Sequence, residues 1–492
     1  MNSPIALPDY ATAMLFASGA ALCYLNSHWL RVRWAELFEH EFDSAFAAGL
    51  TYLGGVLTLL GAWLAWPGMW TAVAWAVLAL ALNFAAKQMR QRSLALQGNV
   101  IAVAALCRLV TLNLFSADKY HGFSLRLITV GLTALLLYVA APFASAADDD
   151  EAGAFSWITA AYTWAASVLV GLLVWYEVAT PNIALGWMML GIVLLEIGLQ
   201  LKAGFLRWQG YAALAASFLQ MLIANLDVTT RAGELSPRST HVVPLAAAYY
   251  YADLRLRQAQ TKDPDRAGPV FSYLGTISVG ALLYFELAPA WVAAGWAALA
   301  LALIIATWAL KRRENLYQSY LLVAACALRA ITFNFLQPSI RDVLFGGQRY
   351  YIGAAIALLF GGLPVAFALR RSVADPLRRE LALASYPERV FFFVPFGLLT
   401  ALIAEESSRG QLTVNWGIEG VAVFLLAVWV GERSFRLAGL GLLLACVVKI
   451  FLIDVWGLEG QARYITLISL GGALLLVSYL YTRYKEKFQR YL

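Results

Sequence analysis

The chain has 492 residues, 61% of them hydrophobic and 13% charged, with a mean hydropathy of +0.68. A soluble globular protein carries about 25% charged residues, so this composition excludes a water-soluble fold and makes lipid the solvent for most of the surface. The net charge of +6 is first a topology signal, and its basic residues come in short clusters between apolar stretches, which leaves nucleic acid without support as a partner.

A membrane span needs about 20 apolar residues, and the chain supplies about seventeen such stretches. The first, 11–30, has the length of a span and no basic region ahead of it, so it reads as a transmembrane helix and not a cleaved signal peptide. Then follow 40–65, 68–88, 93–115 and 124–144; next 155–178, 182–201, 205–227 and the weakest, 241–256. After these come 270–289, 291–310, 316–336 and 349–369, and finally 389–406, 412–432, 434–456 and 462–483. The expected fold is an all-α polytopic membrane protein, with one N-terminal helix (1–36) and four four-helix units at 37–150, 151–264, 265–380 and 381–492. Lys87 to Arg92, Arg255 to Arg266, Arg370 to Arg379 and Arg483 to Arg490 fall on one face, which predicts the N-terminus outside and the C-terminus inside a cytoplasmic membrane.

One register recurs in all four units. Trp75, Trp187, Trp296 and Trp416 each open a second helix, and 22 residues later stand Gln97, Gln209, Gln318 and Ala438. Eleven further on come Arg108, Gln220, Arg329 and Lys449, and five beyond those Asn113, Asn225, Asn334 and Asp454. Ten residues before the tryptophan, the last three units have Glu177, Glu286 and Glu406, where the first has Ala65. Arg126, Arg238, Arg349 and Arg463 open the fourth helices. A supersecondary unit repeated four times accounts for this spacing. Four spans return the chain to its starting side, so the copies are expected to be parallel and not inverted.

Eleven helical residues make about three turns, so Gln97 and Arg108 share a face, as do Gln209 with Gln220 and Gln318 with Arg329. The asparagine five residues on is rotated by about 140° and is expected to leave that face and cap the helix. The tryptophans fit an interfacial aromatic belt. Arg108, Arg329 and Lys449 are the costliest, because intramembrane cations normally face a bundle interior or a wet cavity. Two ion-pairing schemes are open: Glu286 with Arg329 and Glu406 with Lys449, or Arg108 with Glu177 and Arg329 with Glu406.

The four histidines, His28, His40, His121 and His241, share no metal-ligand spacing, and the cysteines lie singly in apolar runs, so neither metal nor cofactor is expected. The sequence contains no phosphate-binding glycine loop, nucleophile elbow or dinucleotide fingerprint.

The last unit carries Trp416-x-x-Glu419-Gly420, the Gly431 to Arg433 turn, Arg436-x-x-Gly439, Lys449-x4-Asp454, Gly457-Leu458 and Arg463 before a Gly-rich final span. On these residues the chain resembles the bacterial family of multi-spanning membrane proteins known as domain of unknown function 2339, most closely over its C-terminal unit. The resemblance implies membrane location and fold type and brings no catalytic residues. Membrane lipids are the expected partners, together with an anionic or lipid-linked envelope component bound or moved from the outer side. The candidate ligand-binding residues are Arg108, Gln220, Arg329, Lys449, Glu177, Glu286, Glu406, Arg126, Arg238, Arg349 and Arg463. Two alternatives from other classes are a membrane-embedded transferase, with Glu177, Glu286, Glu406 or His121 as base, and a non-catalytic scaffold of an envelope complex.

Overall fold

The computed structural model describes residues 10–33, 36, 41–66, 68–120, 122–144, 157–226, 236–259, 267–336, 348–372, 386–408, 411–450 and 460–483. Helices lie over every predicted stretch, as lipid demands of a backbone that must satisfy its own polar groups. They begin with α1 (Tyr10–Arg33). The first segment holds α2 (Glu41–Ala65), α3 (Trp70–Met89), α4 (Arg92–Arg108) and α5 (Leu125–Ala140). A two-stranded turn, β1 (Lys119–Tyr120) and β2 (Phe123–Ser124), is antiparallel with Lys119 opposite Ser124 and precedes α5. The second segment holds α6 (Trp157–Glu177), α7 (Ile183–Gln200), α8 (Gly204–Gln220) and α9 (Pro237–Gln258). The third holds α10 (Ala267–Glu286), α11 (Val292–Leu310), α12 (Arg313–Arg329), α13 (Gln348–Gly361) and α14 (Leu363–Ser372). The fourth holds α15 (Pro387–Glu406), α16 (Leu412–Val430), α17 (Arg433–Lys449) and α18 (Gly460–Arg483).

Among the described residues twelve elements are long and apolar enough to cross a membrane; α13 and α14 count as one of them, Tyr350–Arg370. The other five predicted stretches are occupied by α1, α8, α9, α17 and α18. The span predicted over 349–369 is interrupted by a turn at Gly362, where an added Cβ would stand 2.5 Å from the Phe391 ring. His40, His121 and Asp454 lie outside the described residues, as do the side chains of Arg349 and Arg463. The chain forms two compact bodies, residues 1–230 with 247–261, and residues 231–246 with 262–492. The first has an alanine- and leucine-rich core around Ala72, Val130, Ala134, Ala166 and Leu169, and the second one around Ala297, Ile304, Val323, Ile356 and Phe391.

Each second helix ends the same way. Arg90, Lys202 and Lys311 adopt left-handed φ values of 51°, 55° and 54°, and Gly431 adopts 82°, each 15 residues after its tryptophan. A left-handed residue closes a helix by turning its N–H back to the last carbonyls, as Arg90 does to Ala86 O and Gly431 to Ala427 O. A cation there offsets the left-handed strain by facing the negative helix end.

The tryptophans are hydrogen-bonded inside the bundle. Each indole Nε1 donates to a carbonyl 16 residues earlier in the preceding helix: Trp75 to Leu59 (3.2 Å), Trp187 to Gly171 (2.8 Å), Trp296 to Gly280 (2.9 Å) and Trp416 to Thr400 (3.1 Å). The donor that an aromatic belt would offer to headgroups is thus spent on protein. Trp187→Phe and Trp296→Phe keep an aromatic ring and lose this donor, so each is expected to lower stability by about 1 kcal/mol in detergent unfolding titrations. Trp429 is 86% exposed, and Trp429→Phe should leave the midpoint unchanged; equal losses at all three sites would refute the tie.

The asparagines correct the capping expectation. Each third helix passes into a π-turn directly after its candidate residue: Leu109–Asn113 after Arg108, Met221–Asn225 after Gln220 and Ala330–Phe335 after Arg329, with Ile450 starting the same turn after Lys449. Hydrogen bonds of the i→i+5 type, such as Leu114 N to Leu109 O at 3.0 Å, put residue i+5 roughly below residue i. The asparagine therefore returns toward the polar face. Its Nδ2 donates to a carbonyl 44 residues earlier: Met69 for Asn113 (2.9 Å), Pro181 for Asn225 (2.6 Å) and Ala290 for Asn334 (3.0 Å). It ties the end of the third helix to the entry of the second.

The buried glutamines hold the first and third helices together. Gln209 donates to Thr163 (2.9 Å) and accepts from Ser167 (2.6 Å); Gln318 donates to Ser272 (2.9 Å) and accepts from Thr276 (2.7 Å). In the first segment Gly55 replaces the second hydroxyl, and Tyr24 of α1 donates to Gln97 instead (3.0 Å). In the fourth, phenylalanines stand at both hydroxyl positions and Ala438 at the glutamine. Phe392 stacks on Phe396 and Phe435, with centroids 5.6 and 3.7 Å away, so apolar packing does there what hydrogen bonds do elsewhere.

Candidate functional site

The third-helix cations turn toward protein. Arg108 Nη2 donates to Gly68 O (2.8 Å) and its guanidinium lies 5.7 Å from the Trp75 ring. Arg329 Nη2 donates to Pro289 O (3.3 Å), also 40 residues back, and its guanidinium lies 3.6 Å from the Phe333 ring. Lys449 Nζ donates to Thr413 Oγ1 (2.8 Å). Gln220, at the uncharged position, is 6% exposed. Gathering carbonyl dipoles and aromatic faces around a cation lowers the cost of holding it at membrane depth.

Among the fourth-helix arginines, Arg126 takes Glu177. Arg126 Nε lies 2.7 Å from Glu177 Oε1, Ser124 donates to the same oxygen (2.7 Å), and Arg126 also donates to Leu114 O (2.9 Å) and Tyr176 O (3.3 Å). The same parts recur at α9: Ser236 donates to Glu286 Oε1, and Arg238 Nη1 donates to Phe285 O (2.8 Å). A Ser-x-Arg sequence at the start of one segment's fourth helix thus holds the end of the next segment's first helix. Glu177 is paired with Arg126 and not with Arg108, which corrects one pairing scheme. The reason is reach, since Arg108 is directed at the Gly68 carbonyl.

The fourth segment departs from the others. Lys449 touches Thr413, and Thr413 lines a groove of about 450 Å³ between α16 and α18. Its other walls are almost wholly apolar, including Gly417, Val421, Leu425, Gly472 and Leu476, with Ser469 on the α18 side. On the buried side of α16 sits Glu419, 6% exposed. Its Oε1 lies 2.9 Å from Thr400 Oγ1, and its Oε2 has no hydrogen-bond partner.

Of the candidate residues, the structure therefore joins Arg126 to Glu177, places Glu286 with Ser236, and seats Arg108, Arg329 and Lys449 on separate third helices. It gathers no single cluster of them among the described residues. Among the described residues no group of three or more His, Cys, Asp or Glu is placed to hold a metal ion. Glu419, Thr400 and Thr413 escaped the site reading from sequence. A signal was available: three residues after the tryptophan the other segments have Leu78, Leu190 and Leu299, so Glu419 is the one polar residue at that position.

No curated protein and no solved structure matches the chain. A family description does, over residues 5–484. The chain thus belongs, over nearly its whole length, to the family described as "Predicted membrane protein (DUF2339)".

Proposed function

We propose that this multi-pass membrane protein binds an anionic lipid or lipid-linked envelope component at its fourth segment, approached from the outer side of a cytoplasmic membrane. The supporting observation is the apolar groove between α16 and α18, one of whose lining residues, Thr413, accepts a hydrogen bond from Lys449 Nζ. An acyl chain fits a groove of small and aliphatic side chains, and a phosphate or carboxylate headgroup fits an ammonium near its end. The arrangement of four parallel copies behind one N-terminal helix belongs to the same proposal. Within it the first three copies supply a scaffold whose cations are held by carbonyls and glutamates. A transferase reading gains less, because Glu177 and Glu286 each carry a structural partner at the oxygen a base would use.

The test is retention of lipid by purified protein. Native mass spectrometry of the wild type in mixed anionic and zwitterionic lipid should show selective anionic adducts. A lysine near an anionic headgroup is worth about 1 kcal/mol, so Lys449→Gln should weaken that selectivity about fivefold and leave the unfolding midpoint close to wild type. Gly417→Phe should block the groove and remove adducts of both classes. Unchanged adducts in both variants would sink the proposal.

A further inference from the structure

Glu419 is placed where the scaffold needs no acid. Its position in α16 is leucine in each of the other three segments, at Leu78, Leu190 and Leu299, and these segments build the same tryptophan tie without it. Thr400 is likewise peculiar to this segment, where the others have Leu59, Gly171 and Gly280. Acid and hydroxyl therefore occur together, beside the Trp416 indole that donates to the Thr400 carbonyl.

The hydrogen-bond inventory at this pair is short of one proton. A threonine hydroxyl has a single hydrogen to donate. Thr400 Oγ1 lies 3.0 Å from the Phe396 carbonyl and 2.9 Å from Glu419 Oε1. A carbonyl and an ionised carboxylate are both acceptors only, so one hydrogen cannot give each of them a full hydrogen bond. A protonated Glu419 resolves the count: the acid O–H donates to Thr400 Oγ1, and the Thr400 hydrogen goes to Phe396 O. Charge points the same way. The charged side chains on the helices packed around Glu419 stand toward the helix ends: Glu388, Arg389, Glu405 and Glu406 on α15, and Arg433, Arg436 and Lys449 on α17. Lys449 is held at Thr413, six residues and about 9 Å along α16 from Glu419. Among the described residues no cation bonds to either carboxyl oxygen, and an unpaired carboxylate buried in an apolar helix pair is costly.

We propose that Glu419 is a proton-binding site within the membrane span, carrying its proton as a neutral acid at neutral pH. Uptake from solvent is RCOO⁻ + H₃O⁺ → RCOOH + H₂O, with the new O–H directed at Thr400 Oγ1. The proposal does not depend on lipid occupying the groove, which lies on the other face of α16.

Infrared spectroscopy of the full chain in lipid nanodiscs tests it. At neutral pH the wild type should show a protonated-carboxyl C=O band that shifts in deuterated buffer and is missing from Glu419→Gln and Glu419→Leu. Glu419→Leu restores the residue of the other segments, so it should fold with the wild-type unfolding midpoint. Thr400→Val retains the acid and removes its acceptor, so the band should persist at higher frequency, whatever the fate of the Glu419 variants. Acid-region spectra of wild type and Glu419→Gln that coincide at neutral pH would overturn the proposal. So would a Thr400→Val spectrum with the wild-type band unshifted.

Discussion

Gly210→Leu and Gly439→Leu should each lower the unfolding free energy by about 3 kcal/mol or more, the largest loss expected from a single substitution in the bundle. The two glycines occupy the same place, 23 residues after Trp187 and Trp416. A Cβ on Gly210 would stand 2.9 Å from both Gly191 O and Leu195 N; one on Gly439 would stand 2.9 Å from Gly420 O and Phe424 N. All four obstructing atoms are backbone, so no rotamer change relieves the clash and the helix pair must open. Close approach through small residues is the main source of packing between helices in lipid, where apolar burial gives little. The third segment supplies the control: Ala300 and Ser319 stand where Gly191 and Gly210 do, and both are fully buried. That pair already accommodates Cβ atoms, so Ser319→Ala should change stability far less, by the hydroxyl's one bond to Leu316 O (2.7 Å). Detergent unfolding titrations on the three variants decide the matter. A Gly210→Leu midpoint equal to wild type would mean that the pair is not closely packed.

The spans were legible because a run of about 20 apolar residues has few solutions in lipid besides a helix. The spacing of Trp, Gln, cation and Asn was legible for the same reason that its contacts recur: one set of bond lengths fits one set of intervals. What the residues do was harder to read. Trp187 looks alike in sequence whether its indole meets headgroups or the Gly171 carbonyl. Asn113 was turned off the polar face by a rotation of about 100° per residue, which the π-turn at Leu109–Asn113 does not follow. Glu177 follows both Arg108 and Arg126 in the chain, and only the chain path through α5 decides between them. The groove beside Lys449 is made by α16 and α18, whose contact leaves no pattern in either helix alone. Glu419 needed only a comparison of the chain with itself.

The latch between Arg126 and Glu177 makes a prediction that separates a structural role from a ligand site. The side chains are 17% and 21% exposed, so the pair is worth less than a fully buried one and more than a surface pair. Hydrogen bonds to charged groups contribute about 1.5–3 kcal/mol, and Arg126→Gln should lose that amount. Glu177→Gln should lose a similar amount, because the amide accepts from Ser124 but no longer attracts the guanidinium. The double variant should cost clearly less than the two single losses added, with a coupling of about 1 kcal/mol or more. Arg126→Lys should not rescue, since one ammonium cannot reach Glu177, Leu114 O and Tyr176 O at the geometry of a planar fork. An exchanged pair, Arg126→Glu with Glu177→Arg, should fail as well: Leu114 O and Tyr176 O accept hydrogen bonds and would face a carboxylate. If instead Arg126 served mainly to bind an anion, both single substitutions would leave stability near wild type and their effects would add. Additive losses in the double-variant cycle would therefore dismantle the latch and return Arg126 to the candidate ligand residues.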